Sequence, residues 1–241
     1  SALNMEAKPY VDGTLNIHVL NTGFHVKDTL HMTTDGIQFN QIAITDVEGN
    51  KGEVNGNLFY QHFRDLTYDF NVMSNNMLVM NTQESKDTPF YGRIYASGNT
   101  QILGGGEEGV NINVAMTTNR NTSFTYSLGS VASATSREFI QFNDITPQRI
   151  PLDSLNVFNY GENVKSELES STDIHLNLQM DITPDAQIKI MIDPLADDYI
   201  SGKGQGNIRT EFYNKGDVKL FGNYTIQQGV YKFSIQEVIR K

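Results

Sequence analysis

"DIHLNLQMDI", Asp173 to Ile182, places Ile174, Leu176, Leu178, Met180 and Ile182 on one parity and Asp173, His175, Asn177, Gln179 and Asp181 on the other. Side chains alternate across a β-strand, so the run is a strand with one apolar and one wetted face. Five apolar side chains in a row need a cover. The nature of that cover is the question the rest of the sequence has to answer.

The same period of two recurs along most of the 241 residues: Leu15, Ile17, Val19; Leu66, Tyr68, Phe70, Val72; Val110, Ile112, Val114, Met116; Ile188, Ile190, Ile192; Val218, Leu220; Tyr231, Phe233, Ile235. This predicts an all-β chain of about twelve to fifteen strands. In "GIQFNQIAIT" the parity slips, since Ile37 and Phe39 are followed by Ile42 and Ile44. One extra residue within a strand marks a β-bulge, which bends a sheet. Gly, Asn and Asp punctuate the chain in "VDGT", "EGNKGEVNG", "GGGEEG", "TPDA", "DPLADD", "GKGQG" and "NKGD". Such residues supply the positive φ of hairpin turns, so consecutive strands are expected to be antiparallel neighbours in a meander. The polar stretch "YGENVKSELESS" is the best helix candidate and is too short to roof a dozen strands. The expected organisation is a β segment over 1–144, a connecting loop over 145–172 carrying Pro147 and Pro151, and a β segment over 173–241 continuous with the first.

Composition narrows the function. With 28 acidic and 18 basic residues the formal charge is -10, which disfavours binding to nucleic acid, where phosphates are neutralised by Lys and Arg. No run approaches the length of a membrane-spanning helix. The absence of cysteine excludes disulfides, thiolate catalysis and Cys-type metal centres. His18, His25, His31, His62 and His175 are scattered without metal-ligand spacing. "GKGQG" lacks the Lys-Ser/Thr of a phosphate loop and precedes a strand, so its glycines read as a bend or bulge. "DVEGNKGE" has its glycine one residue late for a calcium loop and reads as a charged hairpin. No catalytic group, metal site or cofactor is expected.

The C-terminal third carries an ordered set of features: "TPDA" after an alternating strand, Asp193 with Pro194, Gly202, Gly204 and Gly206 in G-x-G-x-G, Gly216 with Asp217, and G-x-Y-x-I-x-x-G-x-Y-x-F from Gly222 to Phe233. Together with "DVEGNKGEVNGNLFYQHFRDL" and "PFYGRIYASGNTQILG", this resembles the TamB family, the translocation and assembly module subunit of two-membrane bacteria, from about Val11 to Arg240. The resemblance implies a periplasmic segment of an inner-membrane-anchored protein, built as a long antiparallel sheet curled like a taco or half-pipe around an apolar groove. It implies binding of phospholipid or another acyl lipid for transport between inner and outer membrane. It further implies support of outer-membrane protein assembly and secretion with a TamA- or BamA-like barrel partner. With no anchor helix in it and a last stretch "VIRK" where family members continue with further strands, the sequence is expected to be an internal fragment of such a protein.

On that reading the lipid groove is lined by Leu66, Phe70 and Val72; Ile112, Val114 and Met116; Leu176, Leu178 and Met180; and Ile188, Ile190 and Ile192. Alternation alone leaves a closed β-sandwich open as the alternative, because two apposed sheets need the same apolar parity. Two further alternatives are a chaperone-like scaffold presenting strand edges such as "YKFSIQEVIRK" to outer-membrane proteins, and an adhesin-type sandwich with Tyr91, Tyr95 and Tyr231 as a sugar platform.

Overall fold

The computed structural model describes residues 6–61, 64–85, 88, 90–106, 109–128, 172–216 and 219–234. Thirteen strands run in the order β1 (Tyr10–Ile17), a 3-10 turn (His18–Leu20), β2 (Thr22–Thr29), β3 (His31–Met32), β4 (Gly36–Asp46), β5 (Lys51–Gln61), β6 (Arg64–Thr82), β7 (Phe90–Gly105), β8 (Val110–Thr118), β9 (Ser123–Ser127), β10 (Ile174–Ile182), β11 (Gln187–Asp193), β12 (Asp198–Tyr213) and β13 (Lys219–Lys232). All thirteen belong to one curled sheet. Among the described residues no second sheet lies across it, so the closed sandwich gives way to the open, curled alternative. The connecting loop expected over 145–172 lies outside the described residues apart from 172, as does the helix candidate.

The pairings close a ring, β7-β8-β10-β12-β11-β9. The ring is a seam within the sheet, because each residue offers hydrogen bonds to only two sides. Arg93 of β7 pairs with both Asn81 and Ser123, and Ala96 pairs with both Met77 and Thr118. Since β6 holds one edge of β7 throughout, β8 and β9 share the other edge. They are two halves of one interrupted strand. By the same logic β13 occupies one edge of β12, and β10 and β11 share the opposite one. The two interrupted strands lie side by side in parallel, joining the described segments before and after residues 129–171.

These interruptions correct several expected turns. "TPDA" leads from β10 into β11 with no reversal of direction, while "VDGT" lies within β1 and "GKGQG" within β12. The "GKGQG" glycines serve a close approach instead: a Cβ on Gly204 would stand 1.9 Å from Thr225 O, beside a register shift between β12 and β13. That neighbour is a strand of the same sheet, with no second layer involved. Antiparallel neighbours are the rule elsewhere, and the parity slip in "GIQFNQIAIT" is a bulge between Phe39 and Ile42 with Gln41 at φ 54.

The irregularities line up across the sheet. The β4–β5 turn at Asp46–Asn50, Asn76 at φ 52, Gly98 at φ 152, the 119–122 break, the 183–186 break and the β12–β13 shift follow one another from strand to strand. Bulges bend strands, so a row of them bends the sheet along a crease. Polar side chains satisfy the backbone groups freed there. Asn76 N–H donates to Ser97 Oγ (2.8 Å), which donates to Asn119 Oδ1 (2.8 Å). Thr122 Oγ1 accepts from Tyr95 N–H (3.1 Å) and donates to Tyr95 O (3.0 Å), and Thr183 N–H donates to Thr118 Oγ1 (3.0 Å). The Arg120–Asp185 pair (3.3 Å) also bridges the two breaks, but both partners are largely exposed. Arg120→Ala is therefore expected to change stability by no more than ~0.5 kcal/mol in urea denaturation.

Candidate apolar groove

The register brings the predicted apolar sets onto one face. From β12 to β4, one row reads Phe212, Leu176, Ile112, Ile102, Phe70, Gly56, Phe39. The next reads Thr210, Leu178, Val114, Thr100, Val72, Val54, Ile42, and the third Ile208, Met180, Met116, Gly98, Ser74, Gly52, Ile44. No charged side chain stands in these rows. On the opposite face the same strands present Asn55, Asn71, Gln101, Asn113, Asn177 and Glu211. Burying a charge without a partner is costly, so the segregation specifies an inside and an outside.

Most of the inner face is half-buried rather than sealed. Burial is complete at the β4 end of the second and third rows, Ile42 at 3% and Ile44 at 5% exposed, and at the crease, where Met77, Ala96, Thr118 and Ile182 form a fourth row between 0% and 5% exposed. Glycines make room for the curvature. Phe39 and Phe70 meet edge-to-face at 4.9 Å across Gly56, whose φ is 150 and whose added Cβ would lie 2.8 Å from the Phe70 ring. A glycine flanked by large cross-strand aromatics keeps the apolar surface continuous while the backbone bends.

Eight of the expected lining residues, Phe70, Val72, Ile112, Val114, Met116, Leu176, Leu178 and Met180, form this contiguous block. Ile188 and Ile190 share its face through the alternation of β12, paired with Gly202 and Ile200, but lie beyond the crease. Two residues depart from expectation. Leu66 has the right parity yet is 49% exposed near the start of β6. Ile192 falls at the register shift between Met191 and Asp193, outside the ladder. Residues that sequence reasoning missed as lining include Phe39, Ile42, Ile102, Val54, Ile208 and Phe212; the slipped parity of "GIQFNQIAIT" signalled a bulge without revealing which face it kept continuous.

The charged features belong to structure. Asp46, 5% exposed, accepts from Glu48 N–H (2.9 Å), Asn50 N–H (2.9 Å), Asn50 Nδ2 (2.8 Å) and Leu78 N–H (2.7 Å). Burial pushes its carboxyl upward, but these hydrogen bonds outweigh burial and hold it below its ordinary value. Tyr95, which the sugar-platform alternative needed at the surface, is 7% exposed, donates to Glu48 Oε2 (2.8 Å) and accepts from Arg93. Burial and the bond to Glu48 raise its phenol above the ordinary range. Among the described residues no cluster of His, Asp and Glu could hold a metal ion.

An apolar surface running uncharged across seven strands of one curled sheet is the architecture expected from the resemblance, and residues 40–239 match the TamB C-terminal domain. The chain belongs to the TamB family. TamB proteins are envelope proteins of bacteria rather than enzymes, and this chain is a TamB-like envelope protein. No curated protein and no solved structure shows significant similarity to it. Among the described residues no helix is long and apolar enough to cross a membrane. The TamB match begins at residue 40, within β4, and so covers all seven strands of the apolar rows except the first part of β4.

Proposed function

We propose that this TamB-like chain holds acyl chains on the inner face of its curled sheet, as a periplasmic segment through which phospholipid passes between inner and outer membrane. The observation that carries the reading is the uncharged, mostly half-buried surface shared by seven strands, with no second sheet among the described residues. Carrying a sixteen-carbon chain through water exposes about sixteen methylenes at roughly 0.8 kcal/mol each, on the order of 12 kcal/mol. A groove of comparable polarity to the bilayer interior removes most of that barrier. Transfer between two apolar surroundings is close to neutral, so this segment needs no nucleotide or metal site. A role beside a TamA- or BamA-like barrel in outer-membrane protein assembly belongs to the same proposal.

The test is a photo-reactive amino acid in the Val114 position, irradiated in cells that carry either the parent or Leu178→Asp. The parent is expected to yield a lipid adduct. The aspartate stands next to Val114 in the same row and is expected to abolish the adduct, while circular dichroism shows an unchanged sheet. Equal adduct in a folded Leu178→Asp protein would remove the conduit reading.

One observation favours presentation of a strand edge as a second reading. β13 pairs with β12 along one edge only among the described residues, and Val230, Tyr231 and Phe233 on and after it are exposed. Capture of outer-membrane strand peptides, competed by a peptide of β13 sequence and unaffected by Leu178→Asp, is the result expected of that reading.

A further inference from the structure

The β1–β2 hairpin ends in a tip, His18–Leu20 followed by Asn21, that leaves the sheet and reaches β6. Val19 points outward at 68% exposed, whereas Leu20 packs against Met80, Ile94 and Ala96. That cluster lies on the inner face, since Ala96 pairs with Thr118 in the crease row and Met80 pairs with Ile94 one step further along β7. Met116 and Met180, from the groove rows, and Phe124, from the segment beyond the crease, pack against it too. Leu20 thus sits on the apolar face where its two portions meet.

The tip is held by few contacts. Its 3-10 turn buries no residue, has no side-chain cap at Ile17, and is closed by Asn21 N–H donating to His18 O (3.0 Å). Two side chains latch it to β6: Asn21 Nδ2 donates to Asn81 O (2.6 Å), and Thr22 Oγ1 donates to Leu78 O (2.7 Å). Both carbonyls lie past the point where β5 stops pairing with β6, at Ser74. Among the described residues β1 pairs with β2 alone, and β2 meets β4 over only three residue pairs, Phe24 to Val26. The hairpin can therefore lift without breaking the main ladder. The surface beneath it is rich in methionine, whose unbranched side chains repack around a different apolar occupant at little cost.

We propose that the β1–β2 tip is a gate over the groove, with Leu20 as its plug: an acyl chain displaces the leucine from Met80, Ile94 and Ala96, and the Asn21 and Thr22 latch closes again when the chain has moved on. This inference rests on the acyl-binding reading of the inner face. Its test uses the full chain with vesicles of phosphatidylethanolamine and phosphatidylglycerol, and a diazirine amino acid at position 80, under the plug, or at position 178, clear of it.

In the parent, position 178 is expected to label strongly and position 80 weakly. Leu20→Ser is expected to raise labelling at position 80 by about tenfold, the shift that follows from losing one half-buried leucine side chain. Leu20→Met is expected to stay at the parent level. Thr22→Val, isosteric and compatible with a strand, removes one latch bond and gives a smaller rise even if Leu20→Ser folds poorly. Labelling at position 178 with position 80 indifferent to both variants, or already fully labelled in the parent, would overturn the gate alone. Labelling at neither position would overturn the acyl reading and the gate with it.

Discussion

Asp46→Ala is expected to lower the stability of the chain by about 2–4 kcal/mol in urea denaturation at neutral pH. The carboxylate sits at the end of β4 and ties the β4–β5 turn to β6 through four hydrogen bonds. Without it Glu48 and Asn50 can turn to water, but the Leu78 N–H cannot, because Leu78 is 1% exposed. A buried donor left without an acceptor carries its full desolvation cost. Asp46→Asn is expected to be nearly as damaging despite its equal size. One amide position must then present an N–H group, either to the Leu78 N–H or to the N–H groups of Glu48 and Asn50.

The pH dependence follows in sign. The carboxyl is held below its ordinary value near 3.8 in the folded chain. Its contribution is therefore complete above the unfolded value and disappears as pH falls through the lower, folded one. The parent is expected to lose the Asp46 increment only below about pH 4. Asp46→Asn should show a shallower acid limb there, and matching limbs in the two proteins would show that the carboxylate is not held as its contacts suggest.

Gly98→Val should be at least as destructive, by about 3 kcal/mol or more. Valine favours strands, and Gly98 stands in mid-strand, so propensity alone points the other way. The backbone decides: φ is 152, and a Cβ would fall 2.2 Å from Ala115 O and 2.7 Å from Met116 Cα on β8. The clash is with backbone, so relief requires β7 and β8 to separate where Gly98 pairs with Met116. Gly13→Val is the matched control, since Gly13 in β1 has no atom within 4 Å of an added Cβ. It is expected to be neutral or slightly stabilising. Similar denaturation midpoints for the two variants would show that the crease tolerates a side chain at position 98 and that β7 and β8 are not held as close as their register implies.

Much of the site was legible along single strands. Leu176, Leu178 and Met180 share a face because extended backbone alternates, and Ile112, Val114 and Met116 do so for the same reason, so each set could be assigned a face before any pairing was known. The bulge in "GIQFNQIAIT" was equally legible, because only an extra residue keeps Ile37, Phe39, Ile42 and Ile44 on one side. Ile192 went astray because a register shift after Met191 is settled by the neighbour, Tyr199 to Asp198, and leaves alternation in the sequence intact. "TPDA" went astray similarly: its residues suit a hairpin and a crease alike, and the choice falls to the Thr118–Thr183 hydrogen bonds made across 65 residues.

By itself, then, the sequence determined that this chain is built of two-faced strands, that one face of most of them is apolar, and that its motifs are those of TamB. Alternation is a property of each strand alone and needs no partner to be expressed. Tertiary structure alone decided that the faces join into one surface, that a crease crosses it, and that Leu20 rests upon it. Those outcomes depend on which residues are opposed across strands, on backbone groups that must find partners at each break, and on contacts between segments distant in the chain, and none of these leaves a periodic trace in the order of amino acids.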